Sequence, residues 1–588
     1  MKREDIEEKY KWDLSAMYKS KEDFMNDFDE VKNKIPKIET YKGRFLDNKD
    51  VFLEFMNLLE EIGRKVEKMF TYTHLAVDVE PENNDMQELY SNICALAEDL
   101  ENRSVFIDLE ILKNEEKARK IIEDDSCKKF TNMINHILRT KPHTLSDETE
   151  EVLAKASGVM EASYKTYSCI RPKFEPVIVN GKEEFLNEET AKEFLKNKDE
   201  SVRKQAYEKL NIVYKENANV YASTLEGTIK KDVFYSNIRK FKTPLEASVF
   251  GDEVTEELFY KVLEAANKTY HEYYLEFLEV SRQLIGKEKL DVYDLRLPIV
   301  EEPSKKYSLE DAFELIFEAT KNYGTEYRSI LEKARDEKWI DYMPHEGKRS
   351  GAYSSGCYDS YTYILTSFTN DLESVFTIIH ELGHSIHSYY SHKNQDYINS
   401  DYRIFVAEVA SITNENLLLN LLISKSTDKE EKKYLLYKKM DEFIGCCYRQ
   451  PFFANFENEL HQKVANNEGL SNQTITDLYA KNSEEYYGGK VKMHEYSKYT
   501  CYAVPHFYYD YYVYKYTVGM CVASVLARRI FNGDEEQINN YINFLKSGST
   551  LSPVELLKMA GVDPLDENLY KEAFENFKAD LEEFKGLL

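Results

Sequence analysis

Apolar positions along this 588-residue chain recur mainly three and four residues apart. Val51, Phe52, Phe55, Met56, Leu59 and Ile62 fall on one helical stripe, as do Val202, Ala206, Leu210 and Val213, and charges occupy the opposite faces. That spacing matches the turn of an α-helix and predicts amphipathic helices that bury one side. Two stretches break it. At 171–186, Asn180 and Gly181 separate Val177–Val179 from Glu183–Phe185 and predict a hairpin, a natural place for a lobe boundary. Between 289 and 368, Leu290–Tyr293, Trp339–Met343, Gly351–Ser355 and Tyr361–Phe368 are rich in β-branched and aromatic residues and predict a small sheet.

Composition strengthens the helical reading. Glycine and proline, 21 and 13 residues, are about half as frequent as usual, so turn formers are scarce and long helices follow. The fold expected is mainly α. With 78 basic and 106 acidic residues the formal charge is −28, which argues against nucleic acid and anionic membrane surfaces as partners. No run of 18 apolar residues occurs, and the start lacks the apolar stretch of a secretory signal, so a cytoplasmic location is expected. The eight cysteines show no Cys-x-x-Cys spacing and read as free thiols, mostly buried. No obligatory protein partner is evident.

The chemistry concentrates at 376–387, where His380, Glu381 and His384 form His-Glu-x-x-His inside an apolar helical pattern. Four residues advance about 400° around a helix, so the two imidazoles project side by side, one turn apart. Both can reach one zinc ion at about 2.0–2.1 Å. Glu381, offset by about 100°, can face the open coordination position and take a proton from water there. Chance places such a motif in roughly 2–3% of chains of this composition, so a third ligand has to be found before a metal is inferred.

Three spacings were compared for that ligand. The metzincin pattern requires glycine and histidine where His387 and Tyr390 stand. A glutamate about 20 residues past His384 would fall near Ile404, where there is no acid. Glu408, 24 residues past His384 and flanked by Val406, Val409 and Ile412, is the better candidate, against the ordinary alternative of a solvent-facing helix residue. Glu415 shares its face and could hydrogen-bond a ligating histidine, or lie on the surface. His387 and His392 are expected to flank the site, not to ligate. Gly383, mid-helix, implies that something packs closely there.

These segments resemble the thimet oligopeptidase superfamily of zinc peptidases, in its oligoendopeptidase F branch. The likeness runs through Trp12–Ser15, Thr243–Gly251, Gly351–Gly356, the His-Glu-Leu-Gly-His helix, Phe405–Ser411 and Pro505–Tyr509. The resemblance implies one zinc per chain, held by His380, His384 and Glu408, with Glu381 as general base. It also implies two helical lobes around a deep channel, a small β-sheet next to the zinc helix, and cleavage of internal bonds in short unfolded peptides. The lobes would be an N-terminal one at 1–200 and a catalytic domain at 201–588. Gly351, Ala352 and Tyr353 would bind the substrate backbone by strand addition. His506, Tyr511 and Tyr514 would stabilise the tetrahedral intermediate and Tyr509 would contact substrate, with Tyr509 and Tyr516 as alternatives for the tyrosine role. Seven of the fifteen residues at 502–516 are tyrosine, which gives that region independent weight. Packing of an aromatic helix face is the bland alternative. Two rival functions stay open: a carboxypeptidase using Arg403 or Arg449 to grip a C-terminal carboxylate, and a helical scaffold with structural histidines.

Overall fold

The computed structural model describes residues 2–588. Helices take 71% of the residues and strands 3%, the mainly α class that the periodicity predicts. The helices that position the site are α1 (Lys49–Val79), α2 (Glu200–Glu216), α3 (Ala218–Ile238), α4 (Leu372–Asn394), α5 (Ile404–Lys425), α6 (Gln450–Ala465) and α7 (Tyr514–Phe531). Among the described residues, no helix is long and apolar enough to cross a membrane.

Local chemistry explains where these helices begin. The Asn48 side chain accepts from the backbone N–H groups of Asp50 and Val51 and starts α1, whose Phe52, Phe55, Met56 and Ile62 are buried. Asp199 does the same for α2, burying Val202, Ala206 and Val213. The hairpin forms as predicted: β1 (Val177–Val179) pairs antiparallel with β2 (Lys182–Glu184). Its turn residues Asn180 and Gly181 have φ of 51° and 77°, the left-handed pair that a type I′ turn requires.

Contacts gather the chain into two compact units. One takes the residues up to Pro142, Ser304–Ser424 and Leu526–Asp563; the other takes His143–Pro303, Lys425–Val525 and Pro564–Leu588. No single cut in the sequence separates them, so the expected division at 200 gives way to an interleaved one, and the hairpin lies inside the second unit. The reason is that cores form between segments far apart in sequence, which composition along the chain does not mark.

The first unit is built on a helical core containing Phe24, Val31, Phe52, Phe55, Met69 and Ile93, into which Tyr363 and Leu365 also pack. Those two residues belong to the sheet of the first unit, and the strand before it in sequence belongs to the second. That earlier strand, β3 (Leu290–Asp291), was expected in the same sheet but pairs in parallel with β7 (Val491–Lys492). The sheet proper has β6 (Tyr363–Leu365) between β4 (Ile340–Asp341), which is parallel to it, and β5 (Tyr353–Ser355), which is antiparallel. It lies against α4, where Thr362 Oγ1 donates to the Ser385 carbonyl at 3.0 Å. All eight cysteines are free and five are buried.

Candidate active site

Helix α4 starts at Asp371, whose side chain accepts from the Ser374 N–H, and carries His380 and His384 with ring centroids 4.9 Å apart. At Gly383 it is crossed by α5. A Cβ there would stand 2.7 Å from Ser411 Cα and 2.9 Å from the Ala410 carbonyl oxygen, so only glycine admits this backbone approach. The close packing expected at Gly383 is therefore α5 itself.

The crossing brings Glu408 onto the histidine pair. Its Oε2 lies 3.5 Å from His380 Nε2 and 3.4 Å from His384 Nε2, and Ser411 Oγ donates to the same oxygen at 2.9 Å. Donors bound to one ion at about 2.0–2.1 Å with tetrahedral angles stand about 3.3–3.4 Å apart, so two imidazoles and one carboxylate here fit a zinc ion. Glu408 is half exposed, and its apolar flanks Val406 and Val409 face the core instead. Geometry towards the histidines, not burial, marks it as a ligand candidate.

Glu415, two turns further along α5, sets its Oε1 3.2 Å from His380 Nδ1. An N–H donated there leaves the Nε2 lone pair facing Glu408 Oε2. Asn414 fixes the helix, donating to Tyr327 Oη at 2.9 Å and reaching the Ile379 carbonyl of α4 at 3.5 Å. Burial depresses the His380 imidazole, but Glu415, Glu381 and Glu408 outweigh it and raise the ring to about 9. Burial pushes Glu408 upward, and His384 and His380 overcome this to hold it at about 2. Such an anionic pocket attracts a cation. Glu381, 6% exposed, is pushed up by burial first of all, which strengthens it as a base.

The other histidines of α4 stand apart from this chemistry. His387 is fully buried, stacked at 3.8 Å on Tyr402, and burial takes it down to about 3. His392 sits 5.9 Å from the Tyr358 ring. Beside α4, β5 is an edge strand, paired on one side only, to β6. Gly351 has φ of 90° and leads the chain through Ala352 into Tyr353, whose hydroxyl donates to Asp78 Oδ2 at 2.8 Å.

In the second unit His506 is partly exposed, and burial lowers its imidazole. Of the predicted tyrosines, Tyr509 is 43% exposed, with its ring 5.7 Å from that of His506. Tyr511 and Tyr514 are not presented: both are buried, their hydroxyls donating to Asn458 Oδ1 and Asp252 Oδ2 at 3.2 Å each. The rings against His506 are instead Tyr512, stacked at 6.3 Å, and Tyr516, edge-on at 6.0 Å. Tyr512 precedes α7, in the turn after His506, so helix period does not single this pair out over Tyr511 and Tyr514, which look like the family's Tyr-Tyr-x-Tyr run.

Comparison with known proteins gives the family of the chain. A model of peptidase family M3 matches residues 193–576, and one of oligopeptidase F matches residues 111–170. Oligopeptidase PepF of Bacillus subtilis is 32% identical over 597 aligned positions, spanning all of this chain and 88% of the relative. A crystallised protein of Chlamydophila abortus aligns over the whole of both chains with a TM-score of 0.94 and 28% identity. The oligoendopeptidase-F of Enterococcus faecium aligns over 96% of this chain and 99% of its own, with a TM-score of 0.73 and 28% identity. A match over most of the length, centred on the segment with the paired histidines, settles the family: the chain belongs to peptidase family M3, in its oligoendopeptidase F branch, and is a metalloendopeptidase.

Proposed function

We propose that this enzyme is a zinc-dependent oligoendopeptidase acting on internal bonds of short peptides, with one zinc ion on His380, His384 and Glu408 and with Glu381 as general base. The observation that carries this is the mutual spacing of the three donor atoms, 3.4–3.5 Å from each imidazole to the carboxylate. The names of its relatives, oligopeptidase and oligoendopeptidase, support the substrate class. Bound zinc would supply a Lewis acid that polarises the scissile carbonyl and acidifies water.

The protein's own groups do the rest. The Glu381 carboxylate removes a proton from the attacking water and hands it to the leaving amine nitrogen. Glu415 holds the Nδ1–H of His380 and so fixes that ring. The edge of β5, from Gly351 through Ala352 to Tyr353, offers backbone N–H and C=O groups to an extended peptide. His506 donates to the oxygen that gains charge, assisted by Tyr512 and Tyr516, while Tyr509 contacts the peptide.

Mass spectrometry of a library of end-blocked peptides tests the whole reading. Internal cuts that stop with a chelator and return with zinc are expected. Cleavage of free C-terminal residues alone, with blocked peptides left intact, would point to the carboxypeptidase rival.

A further inference from the structure

The turn that follows His506 is held in an unusual way. Asp510 and Tyr511 are successive non-glycine residues in the left-handed region, with φ of 46° and 56°. Side chains seldom adopt that conformation, and two in a row persist only where the surroundings dictate it. Here they are held from three directions. The Tyr511 N–H donates to Glu457 Oε1 at 2.7 Å, its hydroxyl donates to Asn458 Oδ1 at 3.2 Å, and Ser248 Oγ donates to the Asp510 carbonyl at 2.7 Å. The turn reverses the chain after Pro505–Tyr508, so Tyr512 and Tyr516 come back against the His506 ring.

We propose that Glu457 is a positioning residue for catalysis, a buried latch on the Tyr511 N–H that fixes the Asp510–Tyr511 turn and thereby the placing of His506, Tyr512 and Tyr516. The proposal rests on the reading of those three as substrate-binding groups.

Glu457 is itself well fixed. It is 1% exposed on α6, and one turn later His461 Nδ1 donates to its carbonyl at 2.9 Å. The His461 ring packs 4.5 Å from that of Tyr511, and its Nε2 faces Asp232 Oδ2 of α3 at 3.3 Å. Its Oε2 is buried without a hydrogen-bond partner, a cost that the Tyr511 N–H bond to Oε1 offsets in part. Burial pushes this carboxyl up to about 8, and its Oε1 accepts from the Tyr511 N–H. Glutamine reproduces that arrangement; leucine does not.

The test uses the zinc-loaded enzyme and a fluorogenic blocked peptide. With Glu457→Leu, kcat falls about 100-fold while KM stays within about threefold, the pattern of a lost transition-state contact and of a small misplacement of groups. Metal content stays at the wild-type value. Glu457→Gln restores most of the lost rate. In a His506→Ala background, Glu457→Leu costs clearly less than in the wild type, because one of the three groups it positions is already gone. Full additivity of the two, or a rate loss matched by lost metal or lost folded protein, overturns the latch. Should Glu457→Leu fail to fold, Glu457→Met replaces it: it keeps the side-chain length but offers no oxygen to the Tyr511 N–H, the same loss of kcat is expected, and unchanged kcat would overturn the proposal. His506→Ala by itself judges the underlying reading: wild-type kcat there removes His506 from the machinery whatever Glu457 does.

Discussion

Glu381 and Glu408 are both acids on helices that meet, yet their surroundings separate their roles. Glu408 is half exposed and held ionised by the two imidazoles, whereas Glu381 is buried and its carboxyl is pushed upward. Ligation favours the first and proton transfer the second. Glu381→Gln should keep zinc at one equivalent while the rate falls by roughly 10²–10⁴, the usual worth of a general base. Metal analysis beside a peptidase assay checks this, and near wild-type turnover would remove Glu381 from the reaction. Glu415 lies 3.2 Å from His380 Nδ1, where a hydrogen bond would fix the ring. Its replacement by glutamine should weaken zinc affinity by about 10–100-fold, read by titration against a competing chelator.

At the scale of elements, the site exists because α4 and α5 touch backbone to backbone at Gly383. Alanine in place of this glycine brings two opposed effects. Helix propensity favours alanine by about 1 kcal/mol, but the new Cβ would stand 2.7 Å from Ser411 Cα, and main chain cannot swing aside as a side chain can. Overpacking of this kind costs about 1–3 kcal/mol, so collision wins. Gly383→Ala should unfold at lower temperature and bind zinc more weakly, since separating the helices draws Glu408 away from the histidines. Thermal unfolding of the metal-free protein together with zinc titration checks both effects. A more stable variant with unchanged affinity would show that the crossing is not tight.

For the molecule as a whole, the buried cluster of the second unit makes a definite contribution to how stability responds to pH. Burial pushes Asp510 up to about 7 and Glu457 up to about 8, while hydrogen bonding to Asp232, helped by nearby acids, overcomes burial to raise His461 to about 9. All three lie above their unfolded values, so these groups hold more protons in the folded state and their contribution to stability falls as pH rises between about 4 and 9. Asp510→Asn removes one of these protonations. The unfolding midpoint of the variant relative to wild type should therefore rise as pH increases through about 7. A difference that stays constant from pH 5 to 9 would contradict the raised Asp510 value. The two lysines nearby leave this sign unchanged: Lys515 pairs with Asp252, and Lys231 lies 3.7 Å from Asp232.

Much of this protein could be read from the chain alone. Its helical class, the hairpin at Asn180-Gly181 and the side-by-side histidines rest on short-range rules, because a helix turn or a type I′ turn is set by neighbours a few residues away, whereas Glu408 reaches them only through the crossing of α4 and α5. Even the crowding at Gly383 was visible as a glycine where helix propensity disfavours one. Tertiary structure alone decided which strand β3 would join, how the two units interleave, and that Glu415 meets His380 Nδ1. It also decided that Tyr511 and Tyr514 turn inward while Tyr512 and Tyr516 face His506. Each of these depends on what a distant segment buries or leaves open, and burial is a property of the assembled chain, which no local spacing encodes.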